Sequence, residues 1–207
     1  MAITVTEVNA LDKRKVRLHL DNGQSLILYK GELRKLSLKE GSSLSEEQYE
    51  LLLKEIIGKR ATKRAMHLLE KQDRTEHQLY DKLRQSGYPE ECISQAIAYV
   101  KSYHYIDDLR YSQTYIRYHQ EKKSRQRLKS DLMAKGVRKE LIDQALEEEF
   151  ASDERQMIHT LLEKRRYDSA TSDEKEKRKT YQFLLRRGFR SSDILATMHM
   201  DGSMTDE

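Results

Sequence analysis

Residues 79–97 read LYDKLRQSGYPEECISQAI, residues 128–146 read LKSDLMAKGVRKELIDQAL, and residues 180–198 read TYQFLLRRGFRSSDILATM. Set on their glycines, Gly87, Gly136 and Gly188, the three segments carry apolar residues at the same offsets. The first has Leu79, Leu83, Tyr88, Ile93 and Ile97, and the second has Leu128, Leu132, Val137, Ile142 and Leu146. The third keeps Leu184, Phe189, Ile194 and Met198, with Thr180 in the opening position. The glycines lie 49 and 52 residues apart. A period of that length predicts an array of small helical modules, none able to bury much surface alone.

Each module reads as helix, turn, helix, tight turn, helix. The glycine after the middle helix suits a left-handed position, with the next aromatic or valine folding back over the helix end. In the first module Met66 and Leu69 mark the opening helix, Thr75 with Gln78 caps the second, and Pro89 fits the first turn of the third. An aspartate of Tyr105-Ile106-Asp107-Asp108 is placed to cap the helix from Leu109, Asp153 with Gln156 forms a capping box for the third module, and residues 169–176 read as a polar loop.

The leader differs. Val16, Leu18 and Leu20 alternate with polar residues, Asp21-Asn22-Gly23 follows, and Leu26 to Leu28 resume, which predicts a β-hairpin with a type I′ turn at Asn22-Gly23. Residues 3–8 offer a third strand. Ser45 and Gln48 open a helix with Leu44 and Tyr49 as a hydrophobic staple, and Gly58 is a candidate end or break. The expected fold class is mainly α, three three-helix modules preceded by a small β-hairpin leader. The divisions are 1–58 for leader and first helix, 59–108, 109–150 and 151–200 for the modules, and 201–207 for a disordered tail.

Charged residues make up 36% of the 207 and hydrophobic ones 37%, which suits helices with a narrow apolar stripe and a wide solvated face. The single cysteine, Cys92, excludes an internal disulfide, and no leader-like or membrane-length apolar run is present, so a cytoplasmic protein is expected. Net charge is +4, yet residues 109–139 alone carry +8. That excess suits phosphates or an acidic protein surface. Lys122, Lys123, Arg125, Arg127 and Lys129 precede or lie on the middle helix of module two, and Lys177, Arg178, Lys179, Arg186 and Arg187 occupy the matching helix of module three. Corresponding positions in stacked modules predict one positive strip, the candidate binding site.

Catalytic patterns are missing from the sequence: no phosphate loop ending in Gly-Lys-Ser/Thr, no Gly-x-Ser-x-Gly, no His-Glu-x-x-His, and no histidine spaced to share a metal with Cys92. No catalytic residue, metal or cofactor is therefore expected, and Cys92 reads as a structural thiol. Tyr111, Tyr115 and Tyr118 share one helix face, with Tyr99, Tyr103 and Tyr105 just before. Stacking on unpaired bases is one use for them. Tyr115 and Tyr118 align with Met66 and Leu69, which favours a core role.

Residues 65–108, AMHLLEKQDRTEHQLYDKLRQSGYPEECISQAIAYVKSYHYIDD, followed by LRYSQTYIR and the basic SRQRLKSDLMAKGV, resemble the RecX family, bacterial regulators of the RecA recombinase. The resemblance spans residues 60–150 and extends more loosely through the third module. It implies a protein that binds RecA filaments on single-stranded DNA, lies along their groove, and suppresses ATP hydrolysis, strand exchange and co-protease activity. It also implies RecA as the main partner, single-stranded DNA as a secondary one, and no membrane; a monomer is expected. A nucleic-acid-binding helical repeat and a protein scaffold with merely solvated charges remain the alternatives on residues alone.

Overall fold

The computed structural model describes residues 2–199. The chain divides into two compact units, one ending at Asp107 and the other beginning at Asp108. The tail expected to be disordered lies outside the described residues.

The first unit opens with β1 (Ile3–Ala10), β2 (Lys15–Leu20) and β3 (Ser25–Tyr29), then α1 (Lys30–Lys35) and the short β4 (Ser43–Leu44). The antiparallel sheet runs β3-β2-β1-β4. In the β2–β3 register Val16 faces Leu28 and Leu18 faces Leu26. These four are buried, so the period-two pattern supplies one apolar face. The turn corrects the type I′ expectation, because Gly23 has a positive φ and Asn22 does not. The Gly23 amide donates to the Leu20 carbonyl and the Leu20 amide to Gln24, the bonding of a three-residue turn whose left-handed glycine forms a bulge.

Ser45 and Gln48 form the expected capping box on α2 (Glu46–Leu51), with Leu44 and Tyr49 buried as the staple requires. Gly58 does not end this helix. A π-helical segment, Leu52–Gly58, runs directly into α3 (Lys59–Lys71). The cause is the spacing of the buried residues: Tyr49, Leu53, Ile57, Ala61 and Ala65 recur every fourth position. On an α-helix a four-residue step drifts by about 40°, and a wider π turn returns the stripe to the core. Gly58 belongs there because a Cβ would sit 2.9 Å from the Leu53 carbonyl oxygen. The same oxygen accepts from the Cys92 thiol at 3.5 Å, and burial pushes that thiol's pKa up to about 11. Cys92 is a structural residue.

Helices α4 (Glu76–Gln85) and α5 (Glu90–Ser102) complete the first module, and leader and module share one core. Pro89 sits one place earlier than expected, as the N-cap of α5. The second unit contains α6 (Asp108–His119), α7 (Arg125–Ala134) and α8 (Lys139–Glu149), then α9 (Glu154–Lys164), α10 (Glu174–Arg186) and α11 (Ser191–Met198). Each triplet has its own core, built on Ile116, Leu128, Leu132, Ile142 and Leu146 in one and Ile158, Leu184, Phe189, Ile194 and Met198 in the other. Asp153 caps α9 through the Arg155 and Gln156 amides, and α10 begins at Glu174, inside the stretch read as loop.

The repeated glycine has one structural role three times. Gly87, Gly136 and Gly188 have φ of 78°, 79° and 84°. Their amides donate to Arg84, Met133 and Leu185, and the next residues, Tyr88, Val137 and Phe189, donate back to Leu83, Leu132 and Leu184. That pair of bonds is a Schellman motif, and its apolar partners are the aligned residues of the sequence repeat. The side chains at the repeat positions from Leu79 to Met198 are buried or partly buried. Full burial of one such aliphatic side chain contributes roughly 1.5–3 kcal/mol.

Candidate partner-binding surface

The basic residues of module two are mostly straps within the module. Arg125 and Lys129, one turn apart on α7, reach to α8: Arg125 Nη1 donates to the Leu146 carbonyl at 3.2 Å, and Lys129 pairs with Asp143. The Arg125 guanidinium also lies 5.8 Å from the Phe150 ring centroid, and its backbone amide donates to Glu154 at 2.7 Å. Lys123 Nζ donates to Tyr115 Oη at 2.7 Å and to Asp131 Oδ2 at 2.8 Å, while Arg127 Nε meets Asp131 Oδ1 at 3.0 Å. Of the five cations that sequence places here, Lys122 is exposed with no ion-pair partner among the described residues.

Asp131 organises this cluster. Burial alone would raise its carboxyl, but the Lys123 ammonium, the Tyr115 hydroxyl and Arg127 outweigh it and hold the pKa below the usual carboxylate value. Asp143 is lowered as well, chiefly by its bond to Lys129. A depressed carboxyl stabilises the fold above its unfolded pKa near 3.8 and loses that contribution as pH falls through the lower folded value. Asp131→Asn should therefore lower stability at pH 6 by about 1–2 kcal/mol. The difference from wild type should close in thermal melts at the acid end of the range. A gap that stayed constant with pH would remove the ion pair as its cause.

Module three is different. Along α10, Lys175, Lys179, Gln182 and Arg186 fall at i, i+4, i+7 and i+11, and all four are exposed. Arg178 is exposed on the same helix, and Lys177 is paired with Glu174 at 3.1 Å. Arg187, the C-cap of α10, places its guanidinium 4.3 Å from the Phe183 ring centroid. Lys175 escaped the sequence reading, although the helical period starting from Lys179 reaches it.

The second and third modules meet through a hydroxyl. Ser124 caps α7 by accepting from the Arg127 amide at 3.0 Å and donates to the Arg187 carbonyl at 2.9 Å. The turn that ends α10 is thereby seated on the start of α7.

The tyrosines divide. Tyr111 and Tyr115 are partly buried against the second core, and for Tyr115 this is what its match with Met66 predicted. Tyr118 is 79% exposed, contrary to its match with Leu69, because it falls on the outer side of α6 beside Arg117. Tyr99, Tyr103 and Tyr105 form an exposed row, with centroids 4.9 Å and then 6.0 Å apart.

Among the described residues, no group of three or more His, Cys, Asp or Glu could hold a metal ion, and no helix is long and apolar enough to cross a membrane. Three small cores, three identical helix-ending turns and cations carried outside the cores define a tandem three-helix repeat protein. Models for the first, second and third three-helix domains of RecX match residues 61–99, 107–146 and 153–198 in order. The chain belongs to the RecX family. It is 29% identical to the regulatory protein RecX of Clostridium tetani, over 95% of this chain and 93% of that one. It is 30% identical to the RecX of Caldanaerobacter subterraneus, over 80% and 82%. A crystal structure of RecX from Lactobacillus salivarius superposes with a TM-score of 0.59 at 28% identity, covering 69% of this chain and 95% of that chain.

Proposed function

We propose that this protein is a negative modulator of the RecA recombinase in DNA repair and recombination. It binds RecA filaments on single-stranded DNA and inhibits ATP hydrolysis, strand exchange and co-protease activity. In this reading it works as a cytoplasmic monomer without catalysis of its own, and its modules, 59–108, 109–150 and 151–200, are the units of contact. The observation that carries the reading is the ordered match of all three modules to the RecX domains, joined to the exposed cations Lys175, Lys179 and Arg186 on the matching helix of module three. An elongating polymer of RecA offers the same contact on successive subunits, and a ligand that favours one filament state shifts the subunits it touches.

The test is steady-state ATP hydrolysis by RecA on single-stranded DNA. This protein should slow it at fewer than one molecule per RecA while hydrolysing no ATP alone. Inhibition that disappears in excess DNA would mean competition for the strand, and the plain nucleic-acid-binding repeat would replace RecA modulation. That second reading is favoured by one observation, the exposed row Lys175, Lys179 and Arg186.

A further inference from the structure

Two arginines pack against the ring of Phe183. Phe183 projects from α10 at the edge of the third core and is partly buried there. The guanidinium carbon of Arg165 lies 4.4 Å from its ring centroid and that of Arg187 lies 4.3 Å away. Both arginines are C-caps, Arg165 of α9 and Arg187 of α10. The ring's negative face and the negative ends of two helices each offset part of the repulsion between like charges held this close. Neither guanidinium has a carboxylate partner among the described residues, and Arg187 Nε is buried without any hydrogen-bond acceptor. By contrast, Arg60, Arg117, Arg127 and Arg155 each meet a carboxylate at 2.7–3.1 Å.

Two planar forks packed on one ring, neither engaged by a carboxylate among the described residues, form a preorganised oxyanion receptor. The Arg187 backbone is anchored by Ser124, so the receptor is built into the junction between modules. Beside these two arginines, Lys164, Arg166, Arg186 and Arg190 are exposed and form no ion pair among the described residues. A single carboxylate would use one fork and leave these cations idle. A polyanion with regularly spaced charge would use them all.

We propose that Arg165, Phe183 and Arg187 form a phosphodiester clamp through which the third module grips a nucleic-acid backbone directly. This rests on the third module being part of the partner-facing surface, and it does not require RecA. The experiment measures binding of the full chain to labelled oligo(dT) of about thirty nucleotides, and separately to a duplex of the same length, across a salt series with no RecA present. Arg165→Gln with Arg187→Gln should weaken oligo(dT) binding about tenfold and reduce the log–log salt slope by about 1.4, one phosphate for each arginine. Lys13→Gln with Lys39→Gln removes the same charge from the leader and should leave the slope unchanged. Arg165→Lys with Arg187→Lys preserves charge and helix ends, and should still lose affinity because an ammonium cannot stack or donate as a fork. A loss confined to oligo(dT) assigns the single strand; a loss on the duplex as well assigns backbone phosphates of either form. Equal effects of the leader pair and the clamp pair would overturn the proposal. So would unchanged DNA binding accompanied by lost binding to poly-glutamate. If RecA inhibition failed while the clamp variants still lost DNA, the modulator reading would fall and the clamp would stand.

Discussion

Gly188→Ala should destabilise the second unit by about 3 kcal/mol, far more than a change of one methyl group implies. Two costs combine. At φ +84° a side chain pays about 1 kcal/mol for the left-handed conformation. The new Cβ would also lie 2.6 Å from Ser124 Oγ, 2.9 Å from the Arg127 amide nitrogen and 3.0 Å from Arg127 Cβ. The amide is backbone at the first turn of α7 and cannot step aside alone, so the third module must lift from the second and the Ser124–Arg187 bond must break. Gly23→Ala is the control, since its φ is +79° with nothing within 4 Å, and it should cost about 1 kcal/mol. Urea melts of the two variants compare them directly. Equal losses would mean that close approach at Gly188 contributes nothing beyond backbone conformation.

Arg60→Ala should cost about 2–4 kcal/mol and loosen the leader from the first module. Arg60 is 19% exposed, its Nη1 pairs with Glu32 Oε2 at 2.7 Å, and its Nη2 donates to the Ile27 carbonyl. Its guanidinium also lies 5.0 Å from the Tyr29 ring and 5.7 Å from Tyr88. Removing it strands the Glu32 carboxylate, 24% exposed, and the end of β3 without their common partner. The adjacent Lys59, 71% exposed and paired with Glu55, should change stability by no more than about 0.5 kcal/mol when replaced by alanine. Denaturant unfolding of both variants measures the contrast, and similar losses would show that the Arg60 cluster is not what joins leader to module.

The repeat was legible because its physics is local. A left-handed glycine followed by an apolar residue ends a helix in a recognisable way, and the same offsets then locate the buried faces on either side, from Leu79 to Met198. The Ser45 capping box is local in the same sense. Gly58 misled because a glycine in a helix usually signals an end, whereas here it accommodates a π turn whose cause is a four-residue spacing spread over seventeen residues. Asn22-Gly23 misled because the hairpin closes over three residues rather than two. The candidate binding surface was least legible. Sequence shows that Arg125, Lys129 and Lys123 are cations, but not that Leu146, Asp143 and Asp131 lie within reach to engage them. Arg165 was missed altogether, since its relation to Phe183 joins two helices across the longest connection in the module, residues 165–173.

Cys92 leaves a practical opening for watching the protein at work. Its sulfur is fully buried against the Leu53 carbonyl, and its thiol stays protonated at ordinary pH. Thiol-directed dyes should therefore pass over the native chain, and a cysteine introduced at exposed Thr171 would be the sole point of attachment. Thr171 lies in the 165–173 connection, away in sequence from both Ser124 and Gly188. Under the proposed function, a fluorophore there would report, one molecule at a time, where the third module rests along a RecA filament and how long it stays.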